Sequence, residues 1–136
     1  MIFKTLNDKN YDIKVSKYLI DWNKKSLSDF QFNVKQFLKP FWNQHLCFEE
    51  FPVAGTRMRV DIINFSKRIA VECNGFQHED PKAFFHANYE SYRKQLERDV
   101  KKERFCVLNG IKFVEIYETD MPLTEEFFKD KYNIKL

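Results

Sequence analysis

The sequence predicts an α/β protein of the α+β kind. It should have a mixed central sheet of about four strands, an antiparallel meander plus one later strand, flanked by helices in the order αβββαβ with a short final helix. Three observations predict it. Apolar residues recur at helical spacing in two long segments. Between those segments lie three short apolar runs separated only by "AGT" and "SK", too little chain for anything but hairpins. A fourth run, "KFVEIY", follows the second helical segment, and helices alternating with strands in this way cover the faces of a sheet.

The elements follow in order. Residues 1–27 form an N-terminal arm in which Val15, Tyr18, Leu19, Ile20 and Trp22 supply apolar contacts to the domain formed by residues 28–136. In "SDFQFNVKQFLKP", Ser28 is placed to cap a helix with Gln31 three residues on, and Phe30, Val34, Phe37, Leu38 and Phe41 make its apolar stripe. Pro40 is expected to stop it. The strands are expected at 45–53, 58–65 and 68–74. A long helix from about Pro81 to Phe105 carries Phe85, Tyr89, Tyr92, Leu96 and Val100 as its stripe. Asn109 and Gly110 end that helix or turn the chain, Lys112 to Glu118 forms the last strand, and Thr124 caps "EEFFKDKY".

Composition narrows the class. A chain of 136 residues has room for one domain with a core and not two. Its 17% aromatic content and only 3 glycines argue against disorder, and its apolar runs are too short to span a membrane. The first residues lack the pattern of a signal peptide, which places the expected location inside a cell. Cys47, Cys73 and Cys106 are far apart and form no CxxC pair, so buried thiols are expected rather than zinc or disulfide chemistry. The net charge of +3 is mild, but Lys and Arg gather at Lys17, Lys24, Lys25, Lys35 and Lys39, at Arg57 and Arg59, and between Arg93 and Arg104. Such runs are solvated faces or contacts to nucleic-acid phosphates.

The stretch "RVDIINFSKRIAVECNGFQHED" carries the chemistry. If Ser66 and Lys67 form the turn, the hairpin register sets Asp61 opposite Glu72, with Asn74 on the same face and Val60, Ile62, Ile69, Val71 and Cys73 on the other. Two facing carboxylates repel unless one is neutral or a cation lies between them. Mg²⁺ prefers such oxygen ligands, and Mn²⁺ would substitute. The alternative is an ion pair of either acid with Arg59 or Arg68. His78, past Gly75, is placed to bind a metal or move a proton. Asp99 either pairs with Lys102 along the helix or orients His78.

These stretches, with "RDVKK" and "NGIKFVEIY", resemble the very-short-patch-repair branch of the PD-(D/E)XK nucleases, above all its phage-borne homing-type members with their Glu, Asp, His, Asp signature. The resemblance covers about residues 15 to 125. It implies a restriction-endonuclease-like core, Asp61 as principal metal ligand with the Cys73 carbonyl as another, Glu72 at the acidic motif position, His78 as general base or acid, and Asp99 as its partner. Asn74 stands where many members carry lysine, so charge stabilisation falls to His78 and Lys102. The first Glu of the signature aligns with Gln31, which also suits a helix cap. Glu49 or Glu50 would otherwise supply that carboxylate, with Glu50 preferred.

The function the resemblance implies is a Mg²⁺-dependent endonuclease acting on double-stranded DNA, of the phage homing type and acting in the host cytoplasm if phage-encoded. Arg57, Arg59, Asn74, Gln77 and Arg98 would contact DNA. No small-molecule cofactor and no membrane is expected. Dimerisation into a homodimer, or the N-terminal arm, would extend recognition. The alternatives are a restriction or mismatch-repair nicking nuclease on the same fold, and an inactive nuclease-like nucleic-acid-binding protein. Tyr18 and Trp22 serve either as core anchors or as DNA contacts.

Overall fold

A computed structural model describes residues 1–75 and 89–136 in full and, over 81–88, the helical backbone. The chain opens with a small hairpin, β1 (Ile2–Lys4) and β2 (Asn10–Asp12), followed by a single 3-10 turn at Val15–Tyr18. Then come α1 (Asp29–Trp42), β3 (Cys47–Pro52), β4 (Arg59–Asn64), β5 (Ile69–Asn74), α2 (Pro81–Leu108), β6 (Lys112–Tyr117) and α3 (Glu125–Tyr132). The second sheet has the order β3-β4-β5-β6, with β3, β4 and β5 antiparallel and β6 parallel to β5. The α+β class and the mixed four-stranded sheet expected from the sequence are what is found.

The sheet is covered on both faces, and strand alternation divides its side chains between them. Ile62, Ile69, Val71, Val114 and Ile116 pack with Val34, Leu38 and Trp42 of α1 and Phe128 of α3. Phe48, Ile63 and Ala70 pack with Phe105 and Cys106 of α2 and with Phe3 and Ile13 of the hairpin. Phe48, Phe51 and Phe105 are fully buried, and each such ring stabilises the fold by about 2–3 kcal/mol.

Local chemistry explains most boundaries. Ser28 Oγ accepts the Gln31 amide at 3.1 Å and Thr124 Oγ1 that of Phe127 at 3.1 Å, so both expected caps form. Asn109 ties the end of α2 to the hairpin by accepting from Lys4 N at 2.7 Å and donating to Lys4 O at 3.1 Å. Gly110 then turns at φ +68.

Two expectations are corrected. Pro40 does not end α1, which continues to Trp42. Pro40 gives up the bond its N–H would make to the preceding turn, and full burial of the Trp42 ring holds the last turn in spite of that loss. On α2, Tyr89 and Val100 are exposed, at 48% and 68%, while Asp99 is buried. That helix turns a partly polar face to the sheet because the sheet presents acids there. Among the described residues no helix is long and apolar enough to cross a membrane.

Candidate active site

The β4–β5 ladder pairs Ile62 with Val71, Ile63 with Ala70 and Asn64 with Ile69. Continued by one position, that register sets Asp61 against Glu72, and their carboxyl groups share a hydrogen bond. Asp61 Oδ2 also accepts the Cys73 amide at 2.7 Å, so the side chain takes over a backbone bond at the end of the ladder. Glu72 is buried. Its Oε1 accepts from Lys102 Nζ at 3.1 Å, and its Oε2 is buried with no amide, ammonium or hydroxyl donor on it. Burial, followed by the charge of Asp61, pushes Glu72 up to about 10. Burial raises Asp61 as well. At neutral pH the pair holds a proton between its two carboxyls unless a cation takes that place.

Asn74, two residues on, lies on the Glu72 face, and its Nδ2 donates to Asp99 Oδ2 at 3.1 Å. Gln95 Nε2 donates to Asp99 Oδ1 at 3.0 Å. Gln95, Asp99 and Lys102 fall at i, i+4 and i+7 on α2, which aligns them on one face. Lys102 thus reaches across to Glu72.

A second group of acids adjoins the first at a break in β3. Glu50 has φ +53, a left-handed backbone within a strand. Phe48 and Phe51, an even and an odd position, consequently pack in the same core with ring centroids 5.1 Å apart. Val60, opposite Phe51, joins that core instead of the face expected for it. Glu49 and Glu50 both receive Gln31, whose Nε2 donates to Glu49 Oε2 at 3.0 Å and Glu50 Oε1 at 2.9 Å. Glu49 is further held by Lys35 Nζ at 3.0 Å and Ser26 Oγ at 2.6 Å. Burial raises the Glu50 carboxyl, and Asp61 and Glu49 add to the rise while Arg59 opposes it. Gln31 therefore takes part in the cap through its backbone amide, while its side chain lies among the acids.

The donor set suits a hard divalent cation in type. The buried Oε2 of Glu72, which no amide, ammonium or hydroxyl reaches, and the proton-sharing contact with Asp61 are the features a cation would relieve. Among the described residues no three His, Cys, Asp or Glu side chains are arranged to hold a metal by themselves. The Cys73 thiol is pushed well up by burial and then by the acids, so it stays protonated and would leave only its backbone carbonyl for coordination. His78 and Gln77 lie outside the described residues. Arg57 and Arg59 are exposed beside Glu50, and Arg98 is exposed with its guanidinium 3.2 Å from Gln95 Oε1.

Sequence reasoning missed Lys35, Ser26 and Gln95. Lys35 is fully buried, and its ammonium is satisfied by Glu49, the Asp21 carbonyl at 3.0 Å and the Lys24 carbonyl at 2.6 Å. Its signal was available: Lys35 stands next to Val34 on the apolar side of α1, one turn after Gln31.

No family model matches the chain, and no solved structure matches it. Among known proteins it is similar to an uncharacterized protein, 033L, of Invertebrate iridescent virus 3, with 35% identity over 80 residues. The match takes in 59% of this chain and 41% of the relative, so the chain spans about two fifths of the viral protein's length.

Proposed function

We propose that the chain is a metal-dependent DNA endonuclease of the very-short-patch-repair-like branch of the PD-(D/E)XK nucleases. The observation that carries this reading is the buried Asp61–Glu72 contact, with Lys102 on one Glu72 oxygen and no amide, ammonium or hydroxyl donor on the other. Burying two acids together costs stability that a purely structural sheet avoids with apolar residues. Asp61 and Glu72, with the Cys73 carbonyl, would hold Mg²⁺. When bound, that ion supplies a water made acidic enough to attack a phosphodiester and a counter-charge for the phosphate.

The remaining work falls to side chains. Lys102 keeps a positive charge beside Glu72 and offsets the negative charge that grows on a cleaved phosphate. Asp99 fixes the Asn74 amide and, in this reading, orients the imidazole of His78, which moves the proton. Glu50, strained and beside Asp61, serves as the additional carboxylate. A homing-type enzyme of this kind would act inside a host cell.

The test is cleavage of supercoiled plasmid in Mg²⁺, Mn²⁺ or EDTA by the wild type and by Asp61→Ala and His78→Ala. Metal-dependent cutting lost in both variants supports the assignment. Cutting unchanged in both removes it, and gel-shift binding without metal-dependent cutting identifies an inactive binding protein.

A further inference from the structure

Two hollows adjoin at the Glu49–Glu50 corner. One, of about 570 Å³, has Arg57 and Arg59 in its wall, and the other, of about 390 Å³, has Lys24 and Lys25. Lys17, Tyr18, Glu49 and Glu50 line both, so the two hollows form one path past the acids. Lys17, Lys24, Lys25, Arg57 and Arg59 are all exposed, and none of the five forms an ion pair with a described residue. Buried Lys35 already neutralises Glu49, which leaves Asp21 and Glu50 as the acids facing five cations.

The segment carrying Lys24 and Lys25 is also fixed in place. Lys35 Nζ holds the carbonyls of Asp21 and Lys24, Gln36 Nε2 holds that of Trp22 at 2.6 Å, and Lys39 Nζ bonds Asn23 Oδ1 at 2.7 Å. Ser26 completes the attachment on Glu49. Exposed lysines on a strap pinned at five points are preorganised, so a ligand that meets them loses less freedom on binding.

We propose that residues 21–26 form a phosphate-binding strap that, with Lys17, Arg57 and Arg59, leads a DNA backbone past the Glu50–Asp61 acids. The proposal rests on the nuclease reading for its substrate and adds residues that reading does not use. Lys35 is a positioning residue: its ammonium is fully buried and acts through the strap it holds.

The test measures binding of a fluorescein-labelled DNA duplex to the full chain by anisotropy in EDTA, across a salt series. Replacing two phosphate-contacting lysines should lower the slope of log affinity against log salt by about 2. Lys24→Ala/Lys25→Ala and Arg57→Ala/Arg59→Ala should each do so and weaken binding about tenfold or more at low salt. Lys129→Ala, on α3, should leave affinity and slope near wild type. Lys35→Met should weaken binding with Lys24 and Lys25 still present, at a temperature where its circular dichroism is native.

A strap variant with wild-type affinity and slope overturns the proposal, as does equal weakening in the α3 variant. If plasmid cutting still depends on Asp61 while the strap variant binds normally, the strap fails and the nuclease reading stands. If binding depends on the strap and no preparation cuts DNA, the strap stands and the nuclease reading fails.

Discussion

Lys102 places its ammonium nitrogen 3.1 Å from Glu72 Oε1, bringing a cation from α2 to a strand whose residue 74 is asparagine. Replacing Lys102 by Met removes that charge and leaves the acid pair to its proton alone. Plasmid cleavage should fall about 10²-fold, the usual cost of deleting one stabilising group at a reacting phosphate or carbonyl. Stability should fall by less than the roughly 3–5 kcal/mol of a broken buried ion pair, because Glu72 can remain protonated. Urea denaturation of Lys102→Met beside Lys102→Arg measures the second quantity and cleavage rates the first. Equal loss of activity and folding in Lys102→Met would reduce Lys102 to a structural tie.

The acid pair also sets a pH dependence. Glu72 lies at about 10 in the fold against an ordinary value of 4.5, so the folded chain keeps a proton that the unfolded chain releases. For a carboxyl raised in this way the stabilisation is complete below the unfolded value and declines as pH climbs toward the folded one. Wild-type stability should therefore fall between about pH 4.5 and pH 10, and Glu72→Gln should flatten that decline. Added Mg²⁺ should raise the melting temperature of the wild type at the alkaline end and leave Asp61→Asn and Glu72→Gln unmoved, since a ligand stabilises only the state that binds it. Thermal melts across pH, with and without Mg²⁺, decide it.

The hairpin at the centre of this site was legible because strand pairing follows simple arithmetic. A short turn near Ser66 and Lys67 fixes the register, and the observed pairs from Ile62–Val71 to Asn64–Ile69 keep it even though the turn spans Phe65 to Arg68. The caps at Ser28 and Thr124 were legible for the same local reason. The stripe assigned to α2 failed at Tyr89 and Val100 because periodicity counts apolar residues only. Here the sheet offers Glu72 and Asn74, and α2 answers with Lys102 and Asp99. The β1–β2 hairpin was missed because strands of 3 residues carry almost no pattern. Nothing in local sequence announces a left-handed Glu50, which depends on the packing of Phe48 and Phe51 on one side and Gln31 on the other.

Lys35 joins α1, the strap and Glu49, so its loss should be felt widely. Lys35→Met leaves Glu49 half-buried with its main counter-charge gone, and stability should drop by about 3–5 kcal/mol. Adding Glu49→Gln removes the stranded charge, and the double variant should recover much of that loss. The coupling is read from urea denaturation of the two single variants and the double. Additive effects would mean that Lys35 acts through the Asp21 and Lys24 carbonyls alone.

Glu50 offers the sharpest separation of stability from function. At φ +53 a residue with a Cβ is disfavoured by about 1 kcal/mol relative to glycine. Glu50→Gly removes that strain and relieves repulsion from Asp61 and Glu49, at the cost of one hydrogen bond from Gln31. The two effects are of similar size, so the melting temperature should hold or rise. Cleavage should nevertheless fall, because a carboxylate beside Asp61 has gone. Glu50→Ala keeps the strain and loses the same carboxylate, so it should be less stable than Glu50→Gly and no more active. If Glu50→Gly cuts as well as the wild type, the left-handed turn at Glu50 serves the core packing of Phe48 and Phe51 and has no part in the chemistry.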